Sequence, residues 1–194
     1  MVSIDVIEKI YTHDEYLALE ERAEGKHEFV NGKIIEMSGA SAPHNLIAMS
    51  IGSALKVALR GREKKHFVMG SDMKIRIEAI NQTRYPDALV ICDKLEFYKK
   101  RTDVITNPLL IVEVLSRSTE DFDRTLKFEE YKFLPSFKEY VLIHQDRPFV
   151  TTYFREEEEL WRVHTTMGTT ENIYFKSIDC QLNMADIYED IVFE

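Results

Sequence analysis

Leu109-Leu110-Ile111-Val112-Glu113-Val114-Leu115 is an unbroken apolar run, rich in β-branched residues, with one carboxylate inside it. A run of that length and composition reads as a central strand buried on both faces. Tyr85-Pro86-Asp87-Ala88-Leu89-Val90-Ile91 reads the same way, with Asp87 at its start. A charge in such surroundings is expensive unless a partner or a metal compensates it. Asp87 alone has an ordinary explanation, since Asp is common where a strand follows a turn. Glu113 alone fits an ion-paired core residue as well as a ligand. Together they offer two hard oxygen ligands on neighbouring strands, a donor set suited to Mg²⁺.

Working outward, Thr12-His13-Asp14-Glu15 carries a capping box and predicts a short helix to about Glu21. Asn31-Gly32 predicts the turn of a hairpin spanning Glu28 to Ser38. His44 to Arg60 reads as a helix with a broad apolar face, closed near Gly61. Next come strands at His66 to Met69 and Asp72 to Ile77, the second alternating so that one face is wet. Thr119 to Phe133 predicts a helix capped by Ser118 or Thr119, with Pro135 beyond it. Strands follow at Glu139 to His144, Phe149 to Phe154 and Leu160 to Thr165, then near Ile173-Tyr174-Phe175. A short helix around Met184 to Tyr188 ends the series. Interspersed helices and strands give an α/β fold, a mixed sheet flanked by helices with further antiparallel strands towards the C-terminus.

On the helix after Glu113, Lys127 follows Asp123 by four residues and Arg124 by three, and Tyr131 lies four further on, so all four can share one face. A surface Asp123–Lys127 pair accounts for the spacing equally well. A lysine near two metal-binding acids would orient water or offset charge on a phosphate. The planar fork of Arg124 suits a flanking phosphate.

These residues, with His27-Glu28-Phe29-Val30-Asn31-Gly32-Lys33, Pro43-His44-Asn45, Pro86-Asp87, Ser118-Thr119 and Glu139-Tyr140, resemble the PD-(D/E)xK nuclease superfamily. Within it the match is to the restriction-endonuclease-like family called Uma2 or DUF820, from Tyr11 to about Trp161. The resemblance implies a restriction-endonuclease-like fold and Mg²⁺-dependent phosphodiester hydrolysis of nucleic acid, DNA in the first place, with Mn²⁺ as a substitute ion. It implies Asp87, Glu113 and the carbonyl of Val114 as metal ligands, with Glu28 approaching them. It carries His44, Arg124 and Tyr131 as substrate contacts. In the wider superfamily the lysine lies two residues after the acid, where this chain has Leu115. In Uma2-like sequences it has moved to the next helix, and Lys127 fits that place. Asp72, opening a strand, is ambiguous in the same way as Glu28.

The 194 residues favour one domain, 1–194, with 44% hydrophobic and 30% charged residues, as in soluble globular proteins. No apolar run approaches a bilayer span, and Met1 to Asp5 lacks the character of a signal peptide. Cys92 and Cys180 form no metal-spaced cluster and read as reduced thiols of a cytoplasmic protein. The histidines at 13, 27, 66, 144 and 164 are scattered without an HExxH motif. No glycine-rich phosphate loop or G-x-S-x-G is present. The net charge of −9 opposes nonspecific DNA binding. Local basic stretches, Lys56, Arg60, Arg62, Lys64, Lys65 and His66, and Lys99 to Arg101, read either as solvated surface or as phosphate contacts, Lys64 and Lys65 foremost. Cutting a duplex favours a homodimer, with the late aromatics Tyr140, Phe149, Tyr153, Phe154, Trp161, Tyr174 and Phe175 as its surface or as half of the core. The alternative to an enzyme is a nucleic-acid-binding or mobile-element-associated module that keeps the fold without cutting.

Overall fold

The structure, a computed structural model, describes residues 9–116 and 119–193. Ser118, a candidate cap, and the Met1 to Asp5 segment lie outside the described residues. The strands in chain order are β1 (His27–Val30), β2 (Lys33–Glu36), β3 (His66–Gly70), β4 (Lys74–Ile77), β5 (Gln82–Arg84), β6 (Ala88–Cys92), β7 (Val104–Ile105), β8 (Leu110–Leu115), β9 (Glu139–His144), β10 (Phe149–Arg155), β11 (Trp161–Met167), β12 (Asn172–Phe175) and β13 (Cys180–Asn183). The helices are α1 (His13–Glu20), α2 (Ala42–Ala58), α3 (Glu120–Phe122), α4 (Phe128–Tyr131) and α5 (Met184–Ile187), with a π-helical turn, Asp123–Lys127, joining α3 to α4.

A six-stranded sheet runs β11-β10-β9-β8-β6-β3, and a five-stranded sheet runs β2-β1-β5-β4-β7. The β8–β9 and β4–β7 pairs are parallel and the other pairs antiparallel, so both sheets are mixed. β12 and β13 form a separate antiparallel hairpin near the C-terminus. Strand alternation sorts the central strands into two cores. Val90, Val112, Val114 and Ile143 pack against Ile47, Ile51 and Leu55 of α2. Leu89, Ile91, Ile111, Leu115 and Leu142 pack against Phe128 and Tyr131 on the other face. A third cluster, around Tyr16 and Phe29, closes the five-stranded sheet.

The local signals explain most elements. Thr12 and Glu15 form the full capping box of α1. Asn31 and Gly32 both take positive φ, 46° and 93°, the pair that a tight hairpin turn needs. α2 starts earlier than its apolar pattern indicates, because the Ser41 side chain caps it and Pro43 is tolerated in the first turn. Its buried face is also narrower than expected: Met49 and Val57 are each 66% exposed.

Two features correct the sequence reading and a third decides between its alternatives. β4 has no wet face. Lys74 pairs with Asp103 at 2.8 Å, while the guanidinium of Arg76 lies over the rings of Phe29 and Tyr98. The long stems of both residues make this burial possible. The helix after β8 is not uniform but passes through the π turn, and Thr119 forms no capping hydrogen bond. Most of the late aromatics belong to the core: Tyr140 and Phe175 are fully buried, and Tyr174 alone of that set is largely exposed. The short strands β5, β7 and β13 carried no sequence signal strong enough to predict them. Among the described residues no helix is long and apolar enough to cross a membrane.

Candidate active site

Asp87 stands just before β6, where the first ladder pair joins Ala88 to Val112. It has the parity of Leu89 and Ile91, and Glu113 has that of Ile111 and Leu115. Glu113 therefore faces the second core, while Asp87, in the bend before β6, reaches the strand of Glu113 at the Val114 N–H and lies near enough to help raise the Glu113 carboxyl. The Asp87 carboxylate is fixed at both oxygens: Oδ2 accepts from the Val114 N–H at 2.7 Å, and Oδ1 lies 2.9 Å from His44 Nε2. His44 reaches it from the first turn of α2, so Asp87 bridges the two layers at the strand end.

Glu113 is 3% exposed. Its Oε1 takes the Lys127 ammonium at 2.9 Å and the hydroxyl of Tyr131 at 2.8 Å. Lys127 also lies 3.5 Å from Asp123 Oδ1 and 4.0 Å from Glu28 Oε1. Glu28 is held from the other side by Arg84, whose remaining donors form a bidentate pair with Glu130, both bonds 2.8 Å. The Tyr85 N–H donates to Glu28 as well, at 3.3 Å.

Burial pushes the Glu113 carboxyl well above the usual range, against the attraction of Lys127 and with the help of Asp123 and Asp87. Burial raises Asp123 in the same way. Burial alone would lower Lys127, but Glu113, Glu28 and Asp123 together outweigh it and raise it. Lys127 is therefore a permanent cation. Tyr131 is pushed far up, first by burial and then by Glu113, so its hydroxyl stays protonated and donates.

The donor set fits a hard divalent cation. Glu28, Asp87, Glu113, Asp123 and Glu130 bring carboxylates into a buried or half-buried cluster whose cations are Arg84 and Lys127. Among the described residues the excess of charge is negative, and the carboxylates offer hard oxygen ligands, with His44 Nε2 beside Asp87 at 2.9 Å. Among the described residues no three His, Cys, Asp or Glu side chains already stand round one point. Asp87 and Glu113 would therefore need backbone or water oxygen to complete a coordination sphere.

The other candidates divide. Tyr131 and Glu28 join the cluster. Arg124 does not share the face of Asp123, Lys127 and Tyr131. It turns to Glu120 at 2.9 Å and to His144. Asp72 is away from the site, its side chain 94% exposed and paired with Lys26. Lys64 and Lys65 lie beyond the far end of α2, a helix about 25 Å long at 1.5 Å per residue. There they border a shallow groove with Lys56, Arg60 and Arg62, beside the end of β6 remote from Asp87. Glu139, although buried, accepts from the N–H groups of Lys176 and Ser177 and serves the fold. Sequence reasoning missed Arg84, a lone cation in a polar three-residue strand. It also passed over His144, whose one signal was its place at the end of an apolar strand.

The chain is 38% identical over 167 residues to "Uncharacterized protein sll1609" of Synechocystis sp., covering 86% of this chain and 93% of that one. It is 32% identical over 180 residues to "Uncharacterized protein slr1290" of the same organism, covering 93% and 92%. A solved structure described as "a putative nuclease belonging to DUF820 from Anabaena variabilis" superposes with a TM-score of 0.71, over 93% of this chain and 99% of that one. At 18% identity the likeness is one of fold. Residues 13–185 match the sequence model of Uma2, described as "Putative restriction endonuclease", and the chain belongs to that family.

Proposed function

We propose that this protein is a Mg²⁺-dependent endonuclease that hydrolyses phosphodiester bonds of DNA, with Mn²⁺ as a substitute ion. The observation that supports the reading is the buried ammonium of Lys127 2.9 Å from Glu113, with the Asp87 carboxylate on the N–H of the next residue, Val114. Asp87, Glu113 and the carbonyl of Val114 would hold the ion, with Glu28 close by. A bound Mg²⁺ supplies charge at the phosphate oxygens and lowers the pKa of water.

The chain's own groups set up the rest. The carboxylates of Glu113, Glu28 and Asp123 hold Lys127 in its charged form, which suits it to electrostatic work. It orients the attacking water or offsets charge growing on the phosphate. Tyr131 fixes the Glu113 carboxylate by donating to Oε1. His44 and the Val114 N–H fix that of Asp87. Arg84 binds Glu28 and so limits its pull on Lys127, and it anchors to Glu130 by its other donors. Cutting both strands of a duplex calls for two such sites, which a homodimer supplies.

The test is nicking of supercoiled plasmid by purified protein. Activity is expected with Mg²⁺ or Mn²⁺, and loss of it with EDTA and in Glu113→Gln. No nicking with either ion would refute the proposal and leave a binding module that keeps the fold. Undiminished nicking by Glu113→Gln would move the chemistry elsewhere.

A further inference from the structure

At the carboxyl ends of β8 and β9, two arginines converge on one buried imidazole. His144 ends β9, is 2% exposed, and pairs in register with Leu115. By alternation it lies on the face that carries Leu142 and Glu113. Glu113 is one strand across, about 4.8 Å, and two residues back, about 7 Å. The imidazole and the candidate active site thus share one surface.

Arg124 Nη2 lies 2.6 Å from His144 Nε2, and Arg147 Nη2 lies 3.4 Å from the same atom. Burial, with the charge of Arg147 next, holds the histidine below its usual value, so the ring is neutral and Nε2 accepts. A neutral imidazole nitrogen offers one lone pair. Two guanidinium forks compete for it, and their like charges repel. Glu120 takes Nε of Arg124 at 2.9 Å, and Asp146 lies 3.8 Å from His144 Nδ1. Nη2 of each fork is directed at the single shared acceptor, from which Glu120 Oε1 lies 3.8 Å.

Three contacts hold the frame round this cluster. Arg147 is exposed but lies over the ring of Phe149 at 5.2 Å. The hydroxyl of Tyr188 donates to the His144 carbonyl at 3.0 Å. The Ser41 hydroxyl donates to Gln145 Oε1 at 2.7 Å, which ties the start of α2, and with it His44 on Asp87, to the same turn. We propose that Arg124 and Arg147, set side by side by His144, form a phosphate clamp that grips the nucleic-acid backbone beside the bond cut at Asp87 and Glu113. The clamp rests on the nuclease reading and extends it to Arg147 as a substrate contact and His144 as a positioning residue.

The test is binding of a short fluorescein-labelled DNA duplex in EDTA, where nothing is cut, followed by anisotropy as salt is raised. Arg124→Gln and Arg147→Gln should each weaken binding about tenfold, the effect of removing a charged hydrogen bond. Each should flatten the slope of log affinity against log salt by about 0.9 for every phosphate left without its arginine. His144→Leu keeps both charges but removes their anchor. It should weaken binding several-fold at an unchanged slope, and His144→Gln, which returns an acceptor, should restore it. Lys138→Gln, at the opposite end of β9, is the control. If both arginine variants match this control in affinity and slope, the clamp is refuted. If His144→Leu binds as wild type, the positioning role is refuted. Plasmid nicking in Mg²⁺ separates the two proposals. Clamp effects without nicking sink the nuclease reading alone, whereas nicking with arginine variants indistinguishable from the control sinks the clamp alone.

Discussion

Replacing Lys127 by Met should destabilise the protein far more than the loss of an ordinary ion pair. Lys127 is 6% exposed, and its ammonium faces Glu113 at 2.9 Å, Asp123 at 3.5 Å and Glu28 at 4.0 Å. Methionine fills similar volume, so the change is mainly one of charge. Removing one partner of a buried pair costs about 3–5 kcal/mol, because the other charge stays buried and uncompensated. For a chain of this length each kcal/mol lowers Tm by about 2–4 °C, so a fall of roughly 6–20 °C is expected at neutral pH.

The loss should also depend on pH, with a defined sign. Burial holds Glu113 and Asp123 above ordinary carboxylates, so the folded state binds their protons more tightly than the unfolded chain does. Their contribution is fully present below the unfolded value, about 4. It is lost as pH rises through the folded value. Lys127 limits this loss by favouring the ionised forms, and its own contribution fails only at alkaline pH. Without it, stability should fall from about pH 5 upward by as much as about 1.4 kcal/mol per pH unit for each acid. Urea titrations across this range, read by the fluorescence of Trp161 packed on Phe128 and Phe137, provide the measurement. Adding Glu113→Gln to the variant should recover much of the loss, a non-additivity expected of direct partners. A loss below about 1 kcal/mol and flat with pH would equal a surface ion pair. It would remove the premise that excess buried negative charge gathers here.

Mg²⁺ should raise Tm, by the equivalent of about 2.7 kcal/mol at a hundredfold excess over Kd, and Asp87→Asn and Glu113→Gln should abolish the rise in calorimetric scans. A flat response in the wild type would take the ion out of the reading. Arg84→Met strands Glu28 and Glu130 and should cost about 3–5 kcal/mol in urea unfolding, whereas a near-neutral effect would mean that the network contributes little. Thr12→Ala removes the capping box of α1 and should cost about 1 kcal/mol, visible as a lower urea midpoint. Gly32→Ala should cost more than the strain of positive φ alone, about 1–2 kcal/mol, because the new Cβ would stand 2.5 Å from Ile10 Cγ2.

The central strands were legible because burial on both faces leaves an uninterrupted apolar run, as in β6, β8 and β9. The Asn31-Gly32 turn and the Thr12 capping box were legible because their chemistry is local. The double burial of β4 and the existence of β5 were not, because they depend on partners distant in sequence. Arg76 is buried by Phe29 and Tyr98, and Arg84 by Glu28 and Glu130. A charged residue in an alternating run reads as a wet face unless those partners are known. The place of Lys64 and Lys65 was not legible for the same reason, since only the length of α2 and the register of β3 against β6 set them at the end of β6 remote from Asp87.

The π turn explains how a lysine carried on a helix reaches a strand acid. In a plain α-helix, residues four apart overshoot a full turn by about 40°, so positions 123, 127 and 131 would fan across about 80°. A π turn takes more residues per revolution, and Asp123–Lys127 is such a turn. It cancels part of the fan. Asp123, Lys127 and Tyr131 then aim at Glu113 together, while Arg124 is left on the side of His144. Leu115, two residues after Glu113 on the same strand face, is 2% exposed and packs in the apolar core under Phe128 and Tyr131. A lysine on that strand position would have to bury its stem in this core, whereas one on the helix above meets Glu113 across the gap between helix and sheet. The ammonium is thus supplied from the second layer, and the strand keeps its packing.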